Sequence, residues 1–156
     1  MRVAIALLAL FTTFTSFGQM FDPVSWTFTA VELGDDQYDL KFEAKIENGW
    51  AIYSQHIGDD GPVPTTFTFE EGGHFKTVDG VQESDNAKSG YDPIFDMKLI
   101  KFFKTATFTQ RVKIIDSSKP VAGYLTFMTC DDEKCLPPKD VDFSFNLSAY
   151  DGTGGG

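Results

Sequence analysis

The 156-residue chain carries 23 acidic and 13 basic side chains, which gives a formal net charge of -10 at pH 7. Its lysines and arginines are scattered among acids, whereas binding to nucleic acid depends on clustered positive charge that neutralises phosphates. We therefore expect no nucleic-acid partner. The length suffices for one hydrophobic core of ordinary size, so a single domain is expected.

The first 18 residues predict a secretory signal peptide. Arg2 supplies positive charge, residues 3–11 form an apolar run, and Ser16 and Gly18 offer small side chains for cleavage before Gln19. Threonine and serine interrupt the run well short of the ~20 apolar residues that a membrane-spanning helix needs. We expect an exported chain without a membrane span, located in a bacterial periplasm, where disulfides persist.

Beyond the leader, alternating apolar and polar residues predict strands. Apolar side chains occupy every second position over residues 26–30 and 38–46, which is typical of half-buried strands. Turn residues, including those at 34–36, 47–49 and 79–80, separate these from further predicted strands near 65–70, 74–78, 97–103, 106–115, 121–128 and 141–147. About eight or nine short strands without a long helix predict an all-β fold, an immunoglobulin-like antiparallel β-sandwich.

The predicted domain covers residues 19–148. Residues 149–156 are rich in glycine and are expected to form a flexible tail or linker. Such an end fits a module of a larger protein as well as a free-standing domain.

Both cysteines of the chain, Cys130 and Cys135, lie in one short segment with four residues between them. They are far too close for the inter-sheet bridge of an antibody domain, so we expect them in an edge turn, within a strand-turn-strand feature after Met128. Closing so short a ring removes chain entropy worth only about 2 kcal/mol, which favours redox chemistry over a structural staple. The staple stays open as the alternative.

The charges around the pair predict different roles for its two members. Residues 131–133 are acidic and follow Cys130, where they disfavour a thiolate. Cys135 follows Lys134 and precedes the apolar segment 136–138. Because the thiolate is the attacking species in disulfide exchange, Cys135 is predicted to react with other proteins.

Neither a metal nor an organic cofactor is predicted. The two cysteines and the distant His56 and His74 lack the paired spacing of a zinc site, and no nucleophile motif of a hydrolase is present. Both histidines are expected at the surface. Electrons would arrive and leave through protein thiols.

Four segments, residues 22–26, 48–55, 61–65 and 127–138, together resemble the amino-terminal periplasmic domain of the thiol:disulfide interchange protein DsbD. The resemblance implies an immunoglobulin-like domain with protein-disulfide reductase activity and a link to cytochrome c biogenesis. Its cysteine pair would receive electrons from a thioredoxin-like donor domain and pass them to periplasmic disulfide oxidoreductases and isomerases through transient mixed disulfides. The second cysteine would form those mixed disulfides, and Cys130 would resolve them.

The chain departs from this family in two respects. The best-known members have a longer spacer between the cysteines, so the local turn must differ. The membrane-embedded and thioredoxin-like parts of the full protein are also not in this chain, so its donor is expected to be another domain or a separate protein.

The resemblance further implies a cap loop that protects the reduced sulfurs. Residues 89–96 are the candidate, with Tyr91 or Phe95 lying across the pair; an ordinary core role is the alternative for Phe95. Trp50 and Tyr53 match the family region that lines the active site, and a core role is the alternative for Trp50.

A different class of function stays open beside the redox relay. The domain could be a non-catalytic β-sandwich protein-binding module in which a permanent Cys130–Cys135 bridge holds one turn. The two functions differ in reducibility, because structural bridges of exported proteins typically have potentials below about -300 mV.

Overall fold

The structure, a computed structural model, describes residues 21–150. The predicted signal peptide at residues 1–18 and residues 151–156 of the predicted tail lie outside the described residues. Within residues 21–150, no helix has the length and apolar character needed to cross a membrane.

Strands make up most of the described chain. They are β1 (Val24–Gly34), β2 (Gln37–Ile46), β3 (Ala51–Tyr53), β4 (Thr66–Phe69), β5 (Phe75–Glu83), β6 (Lys88–Asp92), β7 (Met97–Phe102), β8 (Thr105–Ile114), β9 (Val121–Phe127), β10 (Thr129–Cys130) and β11 (Lys139–Phe145). A 3-10 helix, Leu147–Tyr150, follows β11. All pairings are antiparallel, in three sheets with the orders β1-β2-β8-β5, β10-β3-β7-β6 and β11-β9-β4.

The first sheet packs against the other two, and the core lies between them. The ring of Phe42 on β2 lies 4.8 Å from that of Phe143 on β11, and Phe108 on β8 lies 5.5 Å from Phe102 on β7. The predicted all-β, immunoglobulin-like antiparallel β-sandwich is confirmed.

Strand β2 shows why the sequence forms this layer. Its side chains alternate between buried and outward positions, and the buried ones are Tyr38, Leu40, Phe42, Ala44 and Ile46. Because one face of a strand is formed by every second residue, the pattern places all five on the core side. Pairing with β1 on one side and β8 on the other then satisfies its backbone.

The turn predicted at residues 79–80 is wrong. Strand β5 continues through it with a register shift between Val78 and Gln82, and Asp79 adopts a φ of 57°. The Gln110 side chain is buried and donates to the carbonyls of Val78 and Asp79 at 3.1 and 3.2 Å. The register shift and the positive φ identify a β-bulge at these residues. The side-chain amide of Gln110 supplies hydrogen bonds where the bulge interrupts the backbone ladder.

The sequence does not predict strands β3 and β6, and it predicts β10 only as part of the strand-turn-strand feature after Met128. They have three, five and two residues, and β3 is buried throughout whereas β6 is exposed except at its last residue. None shows the alternation that predicts a half-buried strand. All three belong to the second sheet, which carries the cysteine pair.

Candidate functional site

The cysteine pair lies at the edge of the second sheet, as predicted. Strand β10 is an edge strand and pairs Cys130 with Ala51 of β3. Cys130 and Cys135 face each other in an antiparallel bridge and are joined by a disulfide. The two cysteines therefore flank a four-residue turn at a sheet edge, where within residues 21–150 β10 pairs with β3 alone.

The two sulfur-bearing residues differ in accessibility. Cys130 is only 3% exposed, whereas Cys135 is half-buried. An incoming thiol therefore has freer access to Cys135. The difference agrees with the role proposed for Cys135 from the local charges, which stays a prediction.

Asp131 organises the turn between the cysteines. Its carboxylate accepts hydrogen bonds from the backbone N–H groups of Glu133 at 2.9 Å and Lys134 at 2.7 Å. These two hydrogen bonds hold the pKa of Asp131 below its usual range. Sequence reasoning treated this residue only as a source of negative charge, although aspartate at the start of a turn commonly caps the following N–H groups.

A small apolar cluster, here called the sulfur cluster, surrounds the disulfide and is separate from the main core. Its buried members are Tyr53, Leu99 and Cys130, and its half-buried members are Ile57, Phe95, Met97, Met128 and Cys135. The strands β3, β7 and β10 supply the buried members. The cluster therefore joins the cysteine turn to the β6–β7 hairpin.

The candidate cap loop is a hairpin rather than an open loop. Strand β6 ends at Asp92, β7 begins at Met97, and residues 93–96 form the turn between them. Phe95 extends from this turn into the sulfur cluster, where its ring meets that of Tyr53 edge-on at 6.2 Å. Tyr91 is 66% exposed, and its hydroxyl donates to Asp96 instead.

Asp92 anchors the turn that carries Phe95. It is only 1% exposed and accepts hydrogen bonds from the N–H groups of Ile94 at 2.8 Å and Phe95 at 3.2 Å. Its carboxylate also forms an ion pair with Lys101 on β7. Burial opposes its ionisation, but the hydrogen bond from Lys101 and the backbone hydrogen bonds together lower the pKa of Asp92.

Tyr53 is a buried member of the sulfur cluster. Its side chain is fully buried, and its hydroxyl has no hydrogen-bond partner among the described residues. Burial, together with the nearby negative charge of Asp92, raises the pKa of Tyr53. The ammonium group of Lys101 lies 5.8 Å from the centroid of its ring. Tyr53 is therefore a neutral phenol at physiological pH.

Trp50 belongs to the main core, which was the alternative considered for it. The ammonium group of Lys134 lies 6.0 Å from the centroid of its ring, within the range of a cation–π contact. Lys134 also belongs to the turn between the cysteines. Trp50 thus contacts the cysteine turn through Lys134 but belongs to the main core and not to the sulfur cluster.

A groove of about 450 Å³ begins immediately after Cys135. Most of its lining is apolar, and the lining residues are Phe21, Asp22, Phe127, Thr129, Leu136, Pro137, Pro138 and Lys139. Lys139 and Asp22 form an ion pair. The more accessible sulfur therefore has an apolar surface directly beside it.

Two solved structures share this architecture. The N-terminal periplasmic domain of ScsB from Proteus mirabilis superposes with a TM-score of 0.62 at 18% identity, over 82% of this chain and 48% of that one. The reduced N-terminal domain of Neisseria meningitidis DsbD superposes with a TM-score of 0.50 at 17% identity, over 76% of this chain and 82% of that one.

The chain has the fold of the DsbD amino-terminal domain. The resemblance predicted from sequence segments is thus confirmed for the fold. No family model and no curated protein matches the sequence. The chain spans about half the length of the ScsB chain that it matches.

This DsbD-like fold brings together only some of the residues selected from the sequence. Cys130, Cys135, Tyr53 and Phe95 meet in the sulfur cluster, whereas Tyr91 extends into solvent. His56 is exposed and the His74 ring bonds to the carbonyl of Pro120 at 2.9 Å. Within the described part of the DsbD-like domain, no three His, Cys, Asp or Glu side chains are placed to hold a metal ion.

Proposed function

We propose that this domain is a thiol-disulfide interchange module that relays electrons through Cys130 and Cys135. The observation that carries the proposal is the placement of the disulfide at a sheet-edge turn, with Cys130 buried and Cys135 half-buried, in a DsbD-like fold. A purely structural disulfide would stabilise the fold more if it closed a longer loop.

The reaction proceeds in two exchanges. A donor thiolate attacks the Cys135 sulfur, the disulfide breaks, and Cys130 leaves as a thiolate. The second donor thiol then displaces Cys135, so the donor becomes a disulfide and the domain a dithiol. In the second exchange, the Cys135 thiolate attacks an acceptor disulfide, and Cys130 resolves the mixed disulfide, which leaves the acceptor with two thiols.

The partners of this module are those that the resemblance to the DsbD domain implies. We infer a thioredoxin-like donor domain and periplasmic disulfide oxidoreductases or isomerases as acceptors, and we place the domain, residues 19–148, in the periplasm after removal of residues 1–18. The groove beside Cys135 and the side chain of Met128 offer a small docking face around the accessible sulfur. Residues 149–156 would be a tail or a linker to a further module.

Equilibration with a thioredoxin-like donor tests the proposal. The purified domain is mixed with reduced thioredoxin over a series of dithiol-to-disulfide ratios, and alkylation of free thiols measures the fraction reduced. We expect partial reduction across the series, as for a pair whose potential lies near that of its donor. A bridge that stays closed throughout would favour the protein-binding module with a structural disulfide.

We also propose that Phe95 is the lid over the reduced pair. Replacing Phe95 by alanine should speed oxidation of the dithiol by molecular oxygen or hydrogen peroxide, because the ring no longer packs against Tyr53 in the sulfur cluster. An aromatic pair contributes about 0.5–1.5 kcal/mol. Its loss therefore corresponds to a roughly two- to tenfold increase in the fraction of reduced domain whose thiols are uncovered. Timed alkylation followed by mass spectrometry measures the rate.

Tyr91 provides the matched control for the lid. It lies on the same hairpin but is exposed, so Tyr91→Ala should leave the oxidation rate close to that of the parent. Equal oxidation rates for Phe95→Ala and the parent domain would contradict the role of Phe95 as a lid, and Phe95 would then be an ordinary core residue.

A further inference from the structure

The two cysteines are held face to face by hydrogen bonds that involve no sulfur. The N–H of Asp131 donates to the carbonyl of Lys134 at 2.9 Å, and the N–H of Leu136 donates to the carbonyl of Thr129 at 2.9 Å. These bonds bracket the bridge between Cys130 and Cys135 on both sides. A dithiol form that keeps them therefore keeps its two sulfurs opposed.

The closed end of this short hairpin depends on one side chain. Two of the three backbone N–H groups that follow Asp131 within the turn, those of Glu133 and Lys134, donate to its Oδ1. The neighbouring Asp132 carries the same charge and is exposed, but among the described residues its carboxylate makes no hydrogen bond. The chain thus contains two adjacent aspartates, of which only one caps the turn.

We propose that Asp131 is a positioning residue that sets the redox equilibrium of the cysteine pair by preserving the turn in the dithiol form. Forming a disulfide within one chain is favoured in proportion to the effective concentration of one thiol beside the other. A capped turn excludes the open conformations in which the sulfurs are apart. Without the cap, the dithiol gains conformational entropy, and the disulfide becomes easier to reduce.

This inference deepens the proposed function, because the same equilibrium sets the direction in which a relay passes electrons. It does not depend on any partner protein. The reaction that reports it is the oxidation of the dithiol by glutathione disulfide, in which the two thiols lose two protons and two electrons, one disulfide forms, and two molecules of glutathione are released.

Three variants distinguish the effect of the hydrogen bonds to the Asp131 side chain from the effect of its negative charge. Asp131→Ala removes both, Asp131→Asn keeps an acceptor oxygen but removes the charge, and Asp132→Ala removes an equal charge without touching the cap. We expect Asp131→Ala to lower the equilibrium constant for oxidation by roughly fivefold, as expected for the loss of one or two net hydrogen bonds. Asp131→Asn and Asp132→Ala should stay close to the parent.

The equilibrium is measured in glutathione buffers at pH 7 by alkylation and mass spectrometry, with circular dichroism of each oxidised variant as the control for folding. An equal shift in Asp131→Ala and Asp132→Ala, or in Asp131→Ala and Asp131→Asn, would assign the effect to charge and overturn the proposal. So would no shift in any variant. Failure of the relay itself shows separately, as a parent domain that thioredoxin does not reduce.

Discussion

Replacing Cys130 by serine is expected to trap partner proteins as stable mixed disulfides, whereas Cys135→Ser is expected to yield essentially no adduct. With Cys130 absent, the Cys135 thiolate still attacks an acceptor disulfide, but the domain has no second thiol to resolve the product. An acceptor with a single cysteine, held as a mixed disulfide with thionitrobenzoate, has no second thiol either, and thionitrobenzoate is the leaving group. With Cys135 absent, the remaining sulfur is 3% exposed at its position on β10. Each reduced variant is mixed with a thioredoxin-like protein that keeps only its attacking cysteine, activated with thionitrobenzoate, and non-reducing electrophoresis with mass spectrometry measures the adduct.

The double variant Cys130→Ser with Cys135→Ser is the control for adducts that do not involve the pair. Circular dichroism of each single variant checks that the sandwich persists without its short bridge. Trapping by Cys135→Ser alone would reverse the two roles. Adduct from neither single variant would contradict the relay and leave the bridge as a structural element.

Replacing Phe42 by alanine is expected to destabilise the domain by about 3–5 kcal/mol, the range for truncating a buried phenylalanine. Phe42 is completely buried on β2, an inner strand of the first sheet. Its ring lies 4.8 Å from the rings of both Phe67 and Phe143. Truncation therefore removes contacts to two strands of the opposing layer, β4 and β11, at once. Urea unfolding of the oxidised domain, followed by circular dichroism, measures the free energy of unfolding.

Phe103 supplies a control of the same residue type. Its side chain is 45% exposed, so Phe103→Ala should change the free energy of unfolding by only about 0.5 kcal/mol. Because both variants replace phenylalanine by alanine, the difference between their free energies of unfolding reports the effect of burial. A loss for Phe42→Ala no greater than that for Phe103→Ala would contradict the assignment of Phe42 to the centre of the core.

The elements that could be predicted are those whose evidence is local. Alternating residues such as those of β2 predict a half-buried strand, because the side-chain period of a strand is two. Gly34 and the two aspartates after it occupy positive φ at the tip of the β1–β2 hairpin, as the predicted turn requires. The spacing of the two cysteines likewise predicted an edge turn, because no inter-sheet bridge can be so short.

The site depends on contacts between residues far apart in sequence, and most of these could not be predicted. Nothing in the neighbourhood of Tyr91 and Phe95 indicates which aromatic ring turns inward. In the structure, Asp92 decides it, because its carboxylate fixes the turn through Ile94 and Phe95 and is itself fixed by Lys101. The ion pair with Lys101 exists only after β6 and β7 have paired.

The sequence by itself determined the class of fold, the turn that holds both sulfurs and the chemistry that two neighbouring cysteines allow, because periodicity and spacing are properties of adjacent residues. Only the tertiary structure decided that Cys130 is buried while Cys135 is half-buried, and that Tyr53 and Phe95 pack around them. Short strands such as β3 and β10 carry no periodic signal of their own. They form because neighbouring strands satisfy their backbone groups, and that pairing is what places the sulfurs at an edge.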